Sequence, residues 1–365
     1  MKSKYFDHNA TTPPLPAALA AMEASHEEGF ANAASVHDFG TKARYLVEKA
    51  RHDIAALLNV APECLFFTAG GTEADNIALY GALSRSDKGL VVCPKIEHPA
   101  VRLPIAHWAK VFGHEVRFVD AGDDGRVDPS VYEDATIGAL MFANNESGAI
   151  QPVAEARKAC KGFFHCDAVQ SVGKVPVDFA ALDIDSAALS AHKFYGPKGI
   201  GLLYLKEPKG FPPFVLGGSQ EGGIRPGTMN VPGIVGMATA LVEAIKNVEA
   251  ESARLRGLRS LLLNQLEGLG VKFAVNGGLD ECLPNTVNIW LEGQAAGDVV
   301  RRVANQGYGI SAGAACASGT TEAVPSPVLL GMGLTPERAK QSVRISMGHA
   351  NTEESVKGLA AAIAG

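Results

Sequence analysis

A chain of 365 residues, 47% hydrophobic and 20% charged, has the make-up of a folded globular protein, which excludes intrinsic disorder, a fibrous repeat and a disulfide-stapled mini-protein. Its 33 Lys plus Arg against 39 Asp plus Glu leave a formal charge of −6 with no basic block, so nucleic acid is not expected as a partner. The apolar runs fall far short of the ~20 residues that span a bilayer and the first residues form no secretory stretch, so no membrane association and a cytoplasmic location are expected. Six cysteines, Cys64, Cys93, Cys160, Cys166, Cys282 and Cys316, form no C-x-x-C pair, which argues against a zinc site and a disulfide framework; no metal is expected.

In chain order, the segment before residue 15 is too short to be a domain. From residue 64 to 205, β-rich runs at 64–68, 89–93, 115–119, 137–142, 163–167, 186–190 and 200–205 alternate with helical patterns. That alternation predicts an α/β fold with a mostly parallel, seven-stranded sheet covered by helices. A long helical stretch from 233 to about 266 leads into a smaller α+β unit, with strand-like 285–291, a helix near 298–305, strand-like 342–346 and a terminal helix near 352–364. The expected division is a large domain over 15–250, and a small one made of 1–14 and 251–365.

In an open α/β sheet, ligands bind beyond the carboxyl ends of the strands, so chemistry is sought just after each run. After Thr68 comes Gly70-Gly71-Thr72-Glu73, a glycine turn feeding a helix that Thr72 is placed to cap. Such a helix start offers free N–H groups to an anion, phosphate above all, although by itself it is equally an ordinary strand-to-helix turn. Asp167 ends a buried strand and suits a cationic partner such as a protonated pyridine nitrogen; a helix cap or an ion pair stays open. Lys193 ends the next strand, flanked by Ser190, His192, Gly196, Gly199 and Gly201, and a lysine in such apolar surroundings suits Schiff-base chemistry. Together these supply an amine for an aldehyde, a carboxylate for a ring nitrogen and a phosphate cup, the three requirements of pyridoxal phosphate.

With the further motifs Asp7-His8-Asn9-Ala10-Thr11-Thr12-Pro13, Glu97-His98, Asn144-Asn145-Glu146, Asp167-Ala168-Val169-Gln170-Ser171-Val172-Gly173-Lys174, Arg225-Pro226-Gly227-Thr228 and Arg344-Ile345-Ser346-Met347-Gly348, the chain resembles the cysteine desulfurases. These are the persulfide-forming branch of the class V aminotransferases, within the fold-type I pyridoxal-phosphate enzymes. The resemblance runs nearly end to end. It implies that Lys193 holds the cofactor, that His98 stacks on its ring and assists proton transfer, and that Asp167 takes the ring nitrogen. Gln170 and Asn145 would bond the phenolic oxygen, with Asn145 also near the substrate carboxylate. Gly71, Thr72, Ser190 and His192 would form the phosphate cup, Thr228 would reach the phosphate of the neighbouring subunit in a homodimer, and Arg344 would clamp the substrate carboxylate. Gly70-Gly71 departs from the glycine–alanine more common in the family.

Cys316 lies in a run of small residues, 310–321, with little power to pack, so the segment is expected to be mobile; a small buried cysteine at a strand end is the alternative. The resemblance makes Cys316 the nucleophile that takes sulfur from L-cysteine as a persulfide, releases L-alanine, and delivers the sulfur to an acceptor protein such as an iron–sulfur scaffold. A selenocysteine lyase or another class V aminotransferase would share the cofactor residues.

Overall fold

The computed structural model describes residues 1–312 and 324–365. Helices α1 (Pro16–Glu28) and α2 (Asp38–Leu58) precede β1 (Leu65–Thr68), α3 (Gly71–Arg85), β2 (Leu90–Pro94), α4 (Pro99–Phe112), β3 (Glu115–Val119) and β4 (Ile137–Ala139). Then follow α5 (Val153–Ala159), β5 (Phe163–Asp167), α6 (Phe179–Leu182), β6 (Ser186–Ser190) and β7 (Gly201–Leu205). The remainder runs α7 (Val231–Lys246), α8 (Val248–Gly268), β8 (Phe273–Val275), β9 (Thr286–Leu291), α9 (Ala296–Asn305), α10 (Pro327–Gly331), α11 (Pro336–Lys340), β10 (Ser342–Ser346) and α12 (Glu353–Ala364).

Seven strands form one sheet in the order β1-β7-β6-β5-β4-β2-β3, parallel from β6 to β3, with β7 antiparallel to both β6 and β1. Its inner strands are largely buried because both faces are covered, while β3 at the edge carries Glu115 and Arg117 and is partly exposed. On β7, Leu202 and Tyr204 point into the core shared with α1, α2 and α7, while Leu203 and Leu205 point into the core under α3. A second sheet, β10-β9-β8, is antiparallel throughout, and packs its own core of Val287, Ile289, Leu291, Val343 and Ile345 against α8, α9 and α12.

Three expectations are corrected. The helical stretch after residue 233 is two helices bent by 70° at Asn247. The fourth strand ends at Ala139; Leu140 N and Phe142 N still donate to His165 O and Asp167 O of β5 at 3.0 and 2.8 Å, and beyond them Ala143 bridges Ile150. Thr72 does not cap α3: the helix begins at Gly71, its N-cap is Gly70, and no side chain caps it. Of the described cysteines, Cys93, Cys160, Cys166 and Cys282 are buried as small hydrophobes, while Cys64 is partly exposed. No single helix among the described residues is long and apolar enough to cross a membrane.

The N-terminal segment ties the two sheets together. Asp7 bridges Ser346 beside β10, Tyr5 bridges Gly309, and Phe6 is fully buried in the core of the small sheet. Farther on, Thr12 N donates to His192 O at 2.9 Å and Leu15 N to Tyr195 O at 2.9 Å, just past β6.

Arg51 on α2 pins the free edge of β1. It donates to Leu65 O at 2.5 Å and to Glu221 Oε1 at 2.6 Å, while Glu221 Oε2 accepts from Phe67 N at 2.6 Å. Arg51→Met strands the Glu221 carboxylate, so a loss of about 3 kcal/mol or more is expected in urea unfolding; Arg51→Met with Glu221→Gln should recover part of it. His8 supplies a second test. Burial, helped by Lys174, holds its imidazole at about 4, and neither ring nitrogen has a hydrogen-bond partner among the described residues. The unfolded chain takes up this proton below about 6.5 and the folded chain only near 4, so stability drains away as pH falls between those values, by up to about 1.4 kcal/mol per unit. His8→Asn should flatten that slope in unfolding curves at pH 7, 6 and 5.

Candidate active site

A cavity of about 270 Å³ opens beyond the carboxyl ends of β1, β5 and β6, lined by Gly71, Thr72, Asp75, His98, Met141, Ala143, Asn145, Asp167, Val169, Gln170, Ser190, His192 and Lys193. The sheet order puts β5 and β6 side by side, so the residues ending them converge there.

At one end stands the start of α3. Its first internal bond runs from Ala74 N to Gly70 O, so the earlier N–H groups are open to an anion, and the helix dipole favours one. Ser190 and His192 face the same end. His192 bonds Thr11 Oγ1 through Nδ1 at 3.0 Å, and burial with the nearby Lys193 holds it at about 4, hence neutral.

Asp167 forms the floor, 7% exposed, with Oδ1 accepting from Val169 N at 2.9 Å. Burial pushes its carboxyl above the usual range, while His98 and Lys193 pull it down. His98 is the N-cap of α4, its Nδ1 accepting from Ala100 N at 3.1 Å. Burial pushes its imidazole down, with the negative field of Asp167 acting against this. Behind Asp167 lie more buried acids. Asp75 meets His165 Nε2 at 3.0 Å, with His165 Nδ1 bonded to Ser186 Oγ at 2.8 Å; burial drives both members of the pair toward their neutral forms. Glu97 accepts from Met141 N and is raised to about 8, by burial first and then by Asp167.

Lys193 follows β6 in a short 3-10 turn and donates from Nζ to Asn9 O at 2.6 Å and Ala10 O at 2.8 Å. Gln170 Nε2 donates to the same Asn9 carbonyl at 3.0 Å.

Two expected site residues lie outside this lining. Arg344, on β10, donates to Asp7 Oδ1 at 2.6 Å and to Asn145 O at 3.1 Å, so it stands behind Asn145, whose own side chain faces the cavity. Thr228 is exposed on the segment before α7. Cys316 belongs to residues 313–323, outside the described residues. Sequence reasoning gave no task to Asn9 or Lys174, although both stand inside quoted motifs, and it did not single out Asp75. Only the fold shows that a segment at residue 9 meets strands ending at 167 and 190.

The lining brings an anion-accepting helix start, a buried carboxylate and an amine around one space, on a mostly parallel sheet with a helical cover. The sequence profile of the family described as Aminotransferase class-V matches residues 4–359, and the chain belongs to that family. It is 40% identical over 372 residues to a protein of Anaeromyxobacter dehalogenans named cysteine desulfurase IscS, covering 96% of this chain and 89% of that one. It is 37% identical over 363 residues to another of that name from Dictyoglomus turgidum, covering 96% and 91%. Among solved structures, a NifS-like protein superposes with a TM-score of 0.90 at 32% identity, covering 100% of this chain and 98% of that one. A structure titled SspA in complex with cysteine gives 0.82 at 31%, covering 94% and 98%.

The glycine at position 71 has a local cause. A Cβ there would lie 2.6 Å from Val169 Cγ2, so valine on the floor occupies the room that an alanine at the helix start would need. Gly71→Ala should therefore cost about 1–3 kcal/mol by overpacking. Gly71→Ala with Val169→Ala should return most of it, a non-additivity that thermal unfolding of the two single variants and the double variant measures.

Proposed function

We propose that this chain is a pyridoxal-phosphate-dependent cysteine desulfurase that converts L-cysteine to L-alanine and places the sulfur on Cys316 as a persulfide. The observation that carries the reading is the convergence of the α3 start, Asp167 and Lys193 on one cavity. The naming of its relatives as cysteine desulfurases and the cysteine held by a structural neighbour support it.

The residues present fit the cofactor. The open N–H groups of α3 with Thr72, Ser190 and His192 would hold the phosphate, Asp167 the ring nitrogen, Lys193 the aldehyde carbon, His98 a ring face, and Gln170 with Asn145 the phenolic oxygen. When bound, pyridoxal phosphate supplies an electron sink that acidifies the substrate Cα and activates the Cβ–Sγ bond. The rest falls to the chain. Asp167, whose carboxyl His98 and Lys193 pull down against burial, would favour a cationic partner at the floor. Lys193 Nζ, lying against two carbonyls, can take a proton from Cα and return it as a general base and acid. Arg344, held by Asp7 and by the carbonyl of Asn145, directs a cationic field at the Asn145 side of the cavity and suits the substrate carboxylate. The thiolate of Cys316 attacks Sγ as the Cβ–Sγ bond breaks, and Cβ gains a proton. One thiol and one cysteine thus become one persulfide and one alanine, with no outside oxidant.

A homodimer belongs to the same reading, with Thr228 serving the partner's phosphate. The exposed side chains of Phe30, Val36 and Phe39, with the Phe30 and Phe39 ring centroids 5.7 Å apart, support an apolar contact of this kind. A sulfur-accepting protein, such as an iron–sulfur scaffold, would take the persulfide sulfur. The thiols of Cys64, Cys93, Cys160, Cys166 and Cys282 suit a reducing cytoplasm. Separate apolar cores against the two sheets support a large domain over 15–250 and a small one of 1–14 with 251–365, although Val328, Leu329, Met332 and Ala339 of the second range pack into the large core.

Incubation with L-cysteine should yield alanine, and mass spectrometry should place one added sulfur on Cys316. Lys193→Ala should lower alanine release by about a thousandfold or more with the fold intact. Cys316→Ser should retain cofactor and bind cysteine yet release almost no alanine, since a hydroxyl is far less ionised than a thiol at neutral pH. Full activity in either variant, or sulfur mapped to another cysteine, overturns the proposal.

A further inference from the structure

Lys174 has no task in that reaction, yet its side chain is closely held. Past Asp167 the chain folds back on itself. Ser171 N donates to Ala168 O at 3.1 Å, and Lys174 N and Val175 N donate to Ser171 O at 2.9 and 3.1 Å. Gly173 takes φ +79°, and a Cβ there would sit 2.9 Å from Phe194 Cβ and 3.0 Å from Ala244 Cβ, so the turn lies flat against α7. On its other side the Lys174 carbonyl accepts from Ser252 Oγ of α8 at 2.9 Å. With the backbone pinned on both sides, Lys174 Nζ reaches Gln170 Oε1 at 2.6 Å and Asn9 Oδ1 at 3.1 Å.

An ammonium can only donate, and a main-chain carbonyl can only accept. Gln170 lies between one of each. Its Oε1 faces Lys174, and its Nε2 faces Asn9 O at 3.0 Å. Turning the amide over would set N–H against an ammonium and oxygen against a carbonyl. One Nε2–H is used by Asn9, so the group left over on this cavity-lining side chain is the second Nε2–H, a donor.

We propose that Lys174 is a positioning residue that locks the Gln170 amide, so that this wall of the cavity presents an N–H donor and selects a cofactor whose ring carries an anionic oxygen. The inference rests on the pyridoxal-phosphate reading above. The charged neighbours that act on Lys174 are Lys193 past β6 and Arg344 on β10, both cations. With burial they hold it well below the usual lysine range, and it in turn depresses His8 and His192. A neutral amine can accept as well as donate, but the Asn9 carbonyl can only accept, so the amide keeps Oε1 toward Lys174 in either protonation state.

The test titrates the cofactor-free protein with pyridoxal phosphate and reads the dissociation constant and the pH midpoint of the bound cofactor's visible absorbance. Lys174→Met should weaken binding about tenfold and move the midpoint, while Lys174→Arg, still a donor, should stay within about threefold of the parent. In a Gln170→Ala background, Lys174→Met should change binding by less than about threefold, because there is no amide left to orient. Gln170→Glu, which keeps the partner for Lys174 but turns an oxygen to the cavity, should bind more than tenfold worse even if Lys174→Met does not fold. An equal effect of Lys174→Met in both backgrounds, or parent-like binding by Lys174→Met or Gln170→Glu, overturns the lock and leaves the cofactor reading standing. A parent protein that binds no pyridoxal phosphate overturns both.

Discussion

Every polar atom of Asn9 is bonded, and the rest of the site depends on those bonds. Its N donates to Ser346 Oγ at 2.9 Å, and its Nδ2 to Thr286 Oγ1 at 2.8 Å and Asn145 O at 3.2 Å. Its carbonyl accepts from Lys193 and Gln170, and its Oδ1 from Lys174 and from Asn285 Nδ2 at 3.1 Å. Residues of β9, β10, the turn after β5 and the turn after β6 are thereby held to one short turn at residues 8–10. An unpaired amide at this depth would be expensive, and complete pairing makes the arrangement single-valued. Small-sheet and large-sheet residues share one geometry at the cavity because they share one partner.

Electrostatics beneath the cavity follow from what burial does to neighbouring acids. Asp167 raises the proton affinity of both Asp75 and Glu97, and Glu97 raises that of Asp75; carboxylates gathered in an apolar interior cannot all ionise. Asp167 alone of the three has His98 and Lys193 pulling it down against burial, so its neighbours favour a negative charge there more than on the other two. Burial pushes Glu97 and the Asp75–His165 pair toward their neutral forms, a hydrogen-bonded backing.

Much of the large sheet was legible in the sequence because β5 and β6 are short, largely buried runs bounded by turn residues; their limits and those of the more polar β3 are those expected. Asp167 and Lys193 were legible for the same reason: a charge at the end of such a run has no bland place to go. The 70° bend at Asn247 was not, since Ala, Leu, Glu and Arg continue the helical pattern across it and only the packing of α8 on α12 turns the chain. Nor was Thr72: a hydroxyl beside two glycines reads as a cap, yet the helix starts two residues earlier, with Gly70 as its N-cap, and leaves Thr72 facing the cavity. The task of Lys174 depends on Asn9, 165 positions away, and no local pattern carries such a contact.

The bond between Asn9 and Ser346 closes a separation of 337 residues, and this imposes an order on biosynthesis. At a translation rate of roughly 5–20 residues per second, the segment around Asn9 waits about 17 to 70 s after leaving the ribosome before its partner on β10 is made. Phe6, fully buried in the finished small core, is exposed to solvent and to chaperones during that interval. The large sheet, whose last strand ends at Leu205, can collapse long before. A nascent chain can therefore own Asp167 and Lys193 in nearly their final places and still lack a closed site, so the site is completed by the end of synthesis rather than along the way.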